Sequence, residues 1–568
     1  MATTQLAPTL AASDIDEAAA IQRLGGRVRR LWDALGAAPR GRRIPGTATV
    51  ASVALLVGLV ASIVSWRLGW NMAYGDAESH LTIARRIIDS RSPGFEQLGT
   101  VWLPGPHLVL MPFTQSLWLW KTGLAAGLTG AICLAISAAA LYRITARVGL
   151  NRAGRLTALA FFLVNPSVLY VYTTALTEPF LIAAILATFA GLSGWMTSDR
   201  KLSGGELAVF AGLPAAFAVL SRYEGWVLSI VGTVFVAFIS LRRWRDWRYS
   251  VRMTLSFALL PVLAIVWWVS YNWLVFGDPL AFIFGQYSAA AQQQEQFELG
   301  TLPMKGNIGL ATYTLGWAII EAAGIVMLGL AALGAIVLTY TRGLSNSAIL
   351  VWCMGSTIVF QIISLALGQS AMQNDHSFPS GWWNNRFALS MLPLFAVLVG
   401  VLVDSLTRTS LVGGRRALRM SVLGAVAALL IAQNGWWLQD LEKRSAVVAE
   451  AVLTLQQTAD AHAAAQFLVE NYDGGYILMD ETQTAVLPDI GQPLTEFVFR
   501  AAGKDFNDAL LSPTRYAKWI VVNRAANYLG GLPPDLVASA LITHPSRFAS
   551  YRTLYENGRY EVMERYTS

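Results

Sequence analysis

Tyr74-Gly75-Asp76-Ala77-Glu78-Ser79-His80 stands just beyond the apolar run at 47–66, the first stretch long enough to cross a bilayer. Two carboxylates one residue apart, placed where a helix leaves the hydrocarbon, are costly to dehydrate and well suited to act as a base or a ligand. The pairing of that run with this knot predicts a membrane-spanning chain whose chemistry sits at the water edge.

Composition agrees with a polytopic membrane protein. Of 568 residues, 55% are hydrophobic and 14% charged, with a mean hydropathy of +0.47, which excludes an ordinary soluble enzyme. The 20 Trp and 18 Tyr suit two membrane–water interfaces. Cys133 and Cys353 both lie in apolar runs, so neither a disulfide framework nor a CxxC metal site is available. Further apolar stretches at 123–142, 156–172, 179–196, 205–221, 225–241, 253–275, 310–340, 348–367, 387–403 and 418–437 bring the total to about eleven spans. The run 310–340 is long enough to be tilted, broken or partly interfacial. Residues 106–120 are apolar too, but Pro104, Pro106 and Pro112 make them a re-entrant or interfacial segment.

Charge orients the chain. Residues 1–45 carry Arg23, Arg27, Arg29, Arg30, Arg40, Arg42 and Arg43 and are expected to form a basic cytoplasmic tail; a cleaved signal would have its apolar core nearer Met1. Connections near 143–155, 199–204, 242–252, 341–347 and 404–417 are rich in Arg, whereas those near 173–178, 222–224, 276–309 and 368–386 hold only Arg222, Lys305 and Arg386. The first set is therefore cytoplasmic and the second extracytoplasmic. The net charge of +7 is a topology signal, and nucleic-acid binding is not expected. This divides the chain into the tail 1–45, a transmembrane module 46–437 with a long first external loop at 67–121, and a soluble extracytoplasmic α/β domain at 438–568. That domain opens with a helical run from Ser445 to Asn471. Strands are expected at Tyr476–Met479, Trp519–Val522 and Tyr560–Glu564, with an Asn557-Gly558 hairpin before the last.

Polar residues gather on the external side. Leu81, Ala84, Ile87 and Ile88 recur at helical spacing with Arg85 and Arg86 opposite, predicting an amphipathic helix at the interface. Asp76 and Glu78 either cap that helix or do chemistry. Glu178, between Thr177 and Pro179, either balances a helix start or completes an acidic cluster with them. Arg222 and Glu224 pair internally, or Arg222 holds a phosphate. Arg386, after Asn385 at the start of a span, is badly placed for the helix dipole, so it either meets an anion such as a lipid phosphate or snorkels to the interface. Lys305 lies in a loop with Gln292, Gln293, Gln294 and Gln296 that suits a mobile lid. His80, His107 and His376 show no HxH or HxxxH spacing, and His462 and His544 read as ordinary surface residues, so no metal ligand is assigned.

In order and sidedness this pattern resembles the GT-C superfamily of polytopic glycosyltransferases. The likeness rests on Asp76-x-Glu78 after the first span, a long first external loop, Thr177-Glu178-Pro179, and Asn385-Arg386-Phe387 before an apolar span containing Pro393. A soluble C-terminal domain ending in strands completes it. The chain is similar in style to bacterial protein O-mannosyltransferases, aminoarabinose transferases and actinobacterial envelope mannosyl- and arabinosyltransferases. The resemblance implies transfer of one sugar, mannose as the first guess, from a polyprenyl-phosphate donor to a hydroxyl of a glycan, glycolipid or protein at the plasma membrane, with inversion. It implies Asp76 as general base and Glu78 orienting the acceptor or sharing that role. Glu178 would line the pocket, and Arg222 or Arg386 would steady the departing phosphate. His80, Glu224, Lys305 and Asn385 are further candidates for substrate or phosphate contact. Some relatives need a divalent metal and others do not. A lipid or lipid-linked sugar transporter, or an envelope glycan polymerase or ligase, remain the alternatives.

Overall fold

The computed structural model describes residues 44, 46–285, 288–409, 415–481, 486–524 and 535–566; most of the basic tail and the side chain of Gln292 lie outside the described residues. Among them, nine helices are long and apolar enough to cross a membrane: Thr47–Arg67, Leu124–Arg147, Glu178–Thr197, Glu224–Trp244, Trp247–Phe276, Ile325–Arg342, Asn346–Ala366, Asn385–Arg408 and Arg416–Leu438. The chain is a multi-pass membrane protein. Two further expected spans are interrupted. Pro166, which cannot donate to the preceding turn, splits one into Arg152–Leu163 and Pro166–Val171, and Asn165 caps the second piece through Val168 N–H at 3.0 Å. The other, Gly204–Val219, contains a wide π turn at Ala208–Gly212.

The run 310–340 is not one span. Gly324, at φ +79°, separates Ile308–Ala323 from Ile325–Arg342. Both ends of Ile308–Ala323 lie at the loop-bearing end of the bundle. Gly306 N–H donates to Ala366 O at 2.8 Å, while the Asn165 and Gln433 amides donate to Ala322 O and Ala323 O at 2.8 and 3.2 Å. That helix runs along the end of the bundle and carries Glu321 with it, so the one acid read as mid-span belongs to a surface helix. The opposite end is basic. Arg242 reaches Leu344 O at 2.5 Å, Arg342 reaches Val148 O, and Arg408 Nε holds Asp404 Oδ1 at 2.7 Å.

Helices Glu178–Thr197 and Asn385–Arg408 are central, with 78% and 89% of their apolar windows buried, against 17% and 11% for the first and last spans. Small residues allow close approach: a Cβ on Gly130 would stand 1.8 Å from Tyr172 O, so the chain passes there backbone to backbone. The helix Gly75–Arg86 is not an interfacial surface helix. Leu81 and Ala84 are buried, and Arg85 is only 5% exposed. Its guanidinium is absorbed by Asp89 Oδ2 (2.7 Å), Thr114 O (2.6 Å) and the Trp120 ring (5.0 Å). The helix Gly105–Thr114 and the C-terminal unit cover it and supply partners that periodicity could not foresee.

The C-terminal unit is a five-stranded sheet in the order β2-β1-β3-β5-β4. Its strands are β1 Ile477–Met479, β2 Phe497–Val498, β3 Trp519–Asn523, β4 Tyr551–Glu556 and β5 Tyr560–Arg565. β1 runs parallel to β2 and β3, and β5 antiparallel to β3 and β4 across the expected Asn557-Gly558 turn. Alternation along the strands sorts two faces. Ile477, Met479, Trp519 and Val521 join the core shared with helices Ala446–Gln457 and Ala459–Asn471; Leu478, Ile520 and Val522 pack with Phe506 and Val537. The unit is clamped to the first loop by Arg91 on Asp505 (2.7 Å) and by Leu494 N–H on Asp89 (3.0 Å).

Candidate active site

Three of the acids named from sequence start helices. Asp76, Glu178 and Glu224 each lie in the first turn of Gly75–Arg86, Glu178–Thr197 and Glu224–Trp244, where the positive end of the helix dipole favours a carboxylate. The N-cap of the first of these helices, Tyr74, makes no side-chain capping hydrogen bond, and among the described residues the hydrogen bond of Asp76 is to Arg386. Arg386 sits in the 3-10 turn Asn385–Met391, and its unfavourable place at a helix start is compensated by the acids around it.

Arg386 joins four parts of the chain. Its Nη2 holds Asp76 Oδ2 at 2.5 Å, Nε holds Glu178 Oε1 at 3.2 Å and Nη1 holds Glu450 Oε1 at 2.9 Å, while the guanidinium stacks on Tyr74 at 4.8 Å. Arg222 extends the network, with Nη1 on Glu178 Oε1 and Thr177 Oγ1, both at 3.0 Å, and Nε on Glu224 Oε1 at 3.0 Å. Gln361 donates to the same Glu224 oxygen at 2.8 Å. Four acidic side chains thus face two guanidiniums. Glu178, Glu224 and Glu450 side chains are 2–4% exposed, whereas that of Asp76 is 43% exposed. Asp76 is the acid that an incoming molecule can reach. Arg222 Nη2 has no hydrogen-bond partner among the described residues.

Glu450 was not singled out from sequence, although a lone acid in Ala446-Val-Val-Ala-Glu450-Ala-Val-Leu was the available signal. An acid on an apolar helix face needs a buried cation, and Arg386 is that cation.

Glu78 does not share the pocket of Asp76. Residues two apart on a helix point about 200° apart, and Glu78 faces Asp489 of the C-terminal unit. Burial, reinforced by Asp489, holds its carboxyl well above the usual range. Asn385 is buried and donates to Gln373 O at 2.6 Å. Lys305 donates to Gln294 at 3.0 Å and lies over Phe297, with no contact to the Arg386 network among the described residues.

His80 stacks on Trp102 (centroids 4.4 Å apart) and shares a 2.8 Å hydrogen bond with His107. Burial first, then Arg386 and Arg222, push its pKa down to about 3 from 6.5. A neutral imidazole is a hydrogen-bonding group here, not a cationic phosphate holder. The unfolded chain takes up this proton near pH 6.5 and the folded one only near about 3. The stability contributed by keeping His80 neutral is therefore present above pH 6.5 and falls as pH drops through that window, by up to about 1.4 kcal/mol per unit. Burial holds the His107 pKa well below 6.5 too and adds a contribution of the same sign. In thermal unfolding in detergent between pH of about 7.5 and about 5, His80→Gln should therefore lessen the acid sensitivity without abolishing it; an unchanged slope in the variant would assign that sensitivity elsewhere.

The fold has solved counterparts. ArnT from Cupriavidus metallidurans bound to undecaprenyl phosphate is similar at a TM-score of 0.56 and 13% identity, covering 90% of this chain and 98% of that one. Its apo state gives 0.51 and 14% over the same shares. No protein-family profile and no curated protein matches the chain. At this identity the likeness establishes the fold alone: the chain shares with ArnT a helical transmembrane module followed by a small C-terminal sheet domain.

Proposed function

We propose that this GT-C-fold membrane protein is an inverting glycosyltransferase that uses a polyprenyl-phosphate sugar, mannose being the first donor to test. Its acceptor is a hydroxyl on an envelope glycan, a glycolipid or a protein, met on the extracytoplasmic face of the plasma membrane. The N-terminus is then cytoplasmic and the C-terminal unit outside, as the arginine asymmetry requires. The observation that carries this reading is a single reachable carboxylate, Asp76, held by a buried guanidinium on an otherwise buried charge network. The undecaprenyl phosphate bound to ArnT, whose fold this chain shares, supports a lipid-phosphate donor.

In the step proposed, Asp76 accepts the proton of the acceptor hydroxyl as its oxygen attacks the anomeric carbon. The bond from that carbon to the phosphate oxygen breaks, and its electron pair leaves on the polyprenyl phosphate. Arg222 Nη2 is the donor free to meet that growing charge, and neutral His80 with Trp102 lines the approach. Arg386 is fully engaged by carboxylates, so its role is to hold Asp76. Lys305 is a second phosphate contact only through movement of its loop. A transporter would be expected to carry ionisable groups at mid-membrane; the removal of Glu321 to a surface helix weighs against that alternative.

Membranes containing the chain, supplied with radiolabelled polyprenyl-phosphate sugars, should transfer label to an envelope acceptor; no transfer from any of them would overturn the proposal. Arg222→Lys keeps the charge but loses the fork, so transfer efficiency should fall about 10- to 100-fold, on the order of 1.4–2.7 kcal/mol of transition-state stabilisation. An unaltered rate would remove Arg222 from the site.

A further inference from the structure

Away from the Arg386 network, the first external loop and the C-terminal unit bring three metal-binding side chains together. Glu78 from Gly75–Arg86, His462 from Ala459–Asn471 and Asp489 from Leu487–Ile490 each offer a ligand atom, and these atoms lie within 4.8 Å of one another. Glu78 is 4% exposed, and its Oε1 has no hydrogen-bond partner among the described residues. His462 and Asp489 side chains are 24% and 30% exposed, which leaves an ion a way in.

His462 is backed by Thr458, whose Oγ1 lies 3.1 Å from Nε2, and its Nδ1 meets Asp489 Oδ2. Glu78 stands beside that pair with a buried oxygen that no group among the described residues satisfies, and a buried carboxylate so placed next to a second acid favours a cation.

We propose that Glu78, His462 and Asp489 bind one divalent transition-metal ion of the zinc class, which staples the first external loop to the C-terminal unit. One imidazole nitrogen with two carboxylate oxygens suits Zn²⁺, with water completing the coordination; Mg²⁺ and Ca²⁺ prefer oxygen throughout. The ion fixes the helix that presents Asp76, two residues before Glu78, and so acts by positioning. It is distinct from the transfer reaction and does not depend on it.

The full-length protein in detergent, stripped with a chelator, is titrated with zinc chloride, and retained metal is measured by mass spectrometry. The wild type should retain one zinc per chain, and zinc should raise its unfolding temperature. His462→Ala and Asp489→Asn should lose both effects, whereas His544→Ala, exposed on the same unit, should keep them. Glu78→Gln, nearly isosteric, and Thr458→Val, behind the ring, should each weaken retention about 10- to 100-fold, which keeps the test open if a deletion misfolds. Absence of zinc from the wild type, or equal retention in His462→Ala, would overturn the site and leave a histidine–aspartate ion pair. Asp76→Asn should bind zinc normally while losing transfer; a wild type that binds zinc but transfers no sugar counts against the glycosyltransferase and not against the metal site.

Discussion

Asp76→Asn should lower the rate of sugar transfer by about 10²- to 10⁴-fold, the usual contribution of a positioned general base. The amide keeps an oxygen for Arg386 Nη2, so the 2.5 Å contact to Oδ2 has a neutral successor, but it cannot take the proton of the acceptor. Stability should hardly change. The Asp76 side chain is 43% exposed, and water screening limits its ion pair to about 1 kcal/mol or less. The expected signature is thus a fall in kcat with near-normal KM and an unfolding temperature close to wild type, read in a membrane transfer assay and a detergent melt. Wild-type turnover in this variant would remove the proposed mechanism; a large drop in stability with proportional loss of activity would make Asp76 a structural residue.

Arg386→Met should produce the largest loss of stability of any single change in the network. It strands Glu450, 4% exposed, and leaves Glu178, 2% exposed, with Arg222 as its remaining cation. Removing one partner of a buried ion pair costs about 3–5 kcal/mol because the remaining charge has lost its compensation. The measurement is thermal unfolding and yield of folded protein in detergent. Adding Glu450→Gln should recover part of the loss by deleting one stranded charge, a coupling that a packing defect alone would not show. Glu450→Gln by itself should cost less, about 1–3 kcal/mol, since the amide oxygen still accepts from Arg386 and from Asn384 N–H. An Arg386→Met protein that melts with the wild type would show that the network contributes nothing to the fold.

The site was legible in part. Asp76, Glu178, Arg222, Glu224 and Arg386 all stand at or just before helix starts on the side away from the basic connections, and the structure brings all five into one network. Their identity as charged residues beside apolar runs was enough to name them. Their partners were not legible: whether Arg386 would meet a carboxylate or a ligand depended on what packed over it, and Glu450 arrives from the C-terminal unit. Lys305 carried the same kind of signal and points elsewhere. His462 carried no signal at all, because its neighbours Glu78 and Asp489 are brought to it by the docking of separate units.

Hydrophobic runs, their punctuation by Pro and Gly, and the one-sided distribution of arginine are local or summed properties of the chain. They determined that it crosses the membrane many times, which connections share a side, and that its last quarter forms a strand-containing unit. Side-chain pairing is neither local nor additive. Asp76 and Arg386 are 310 positions apart, and only the packing of the two central helices against the first loop closes that gap. The same packing turned Glu78 away from Asp76, since a helix rotates each side chain by about 100° per residue and burial then decides which face meets which neighbour.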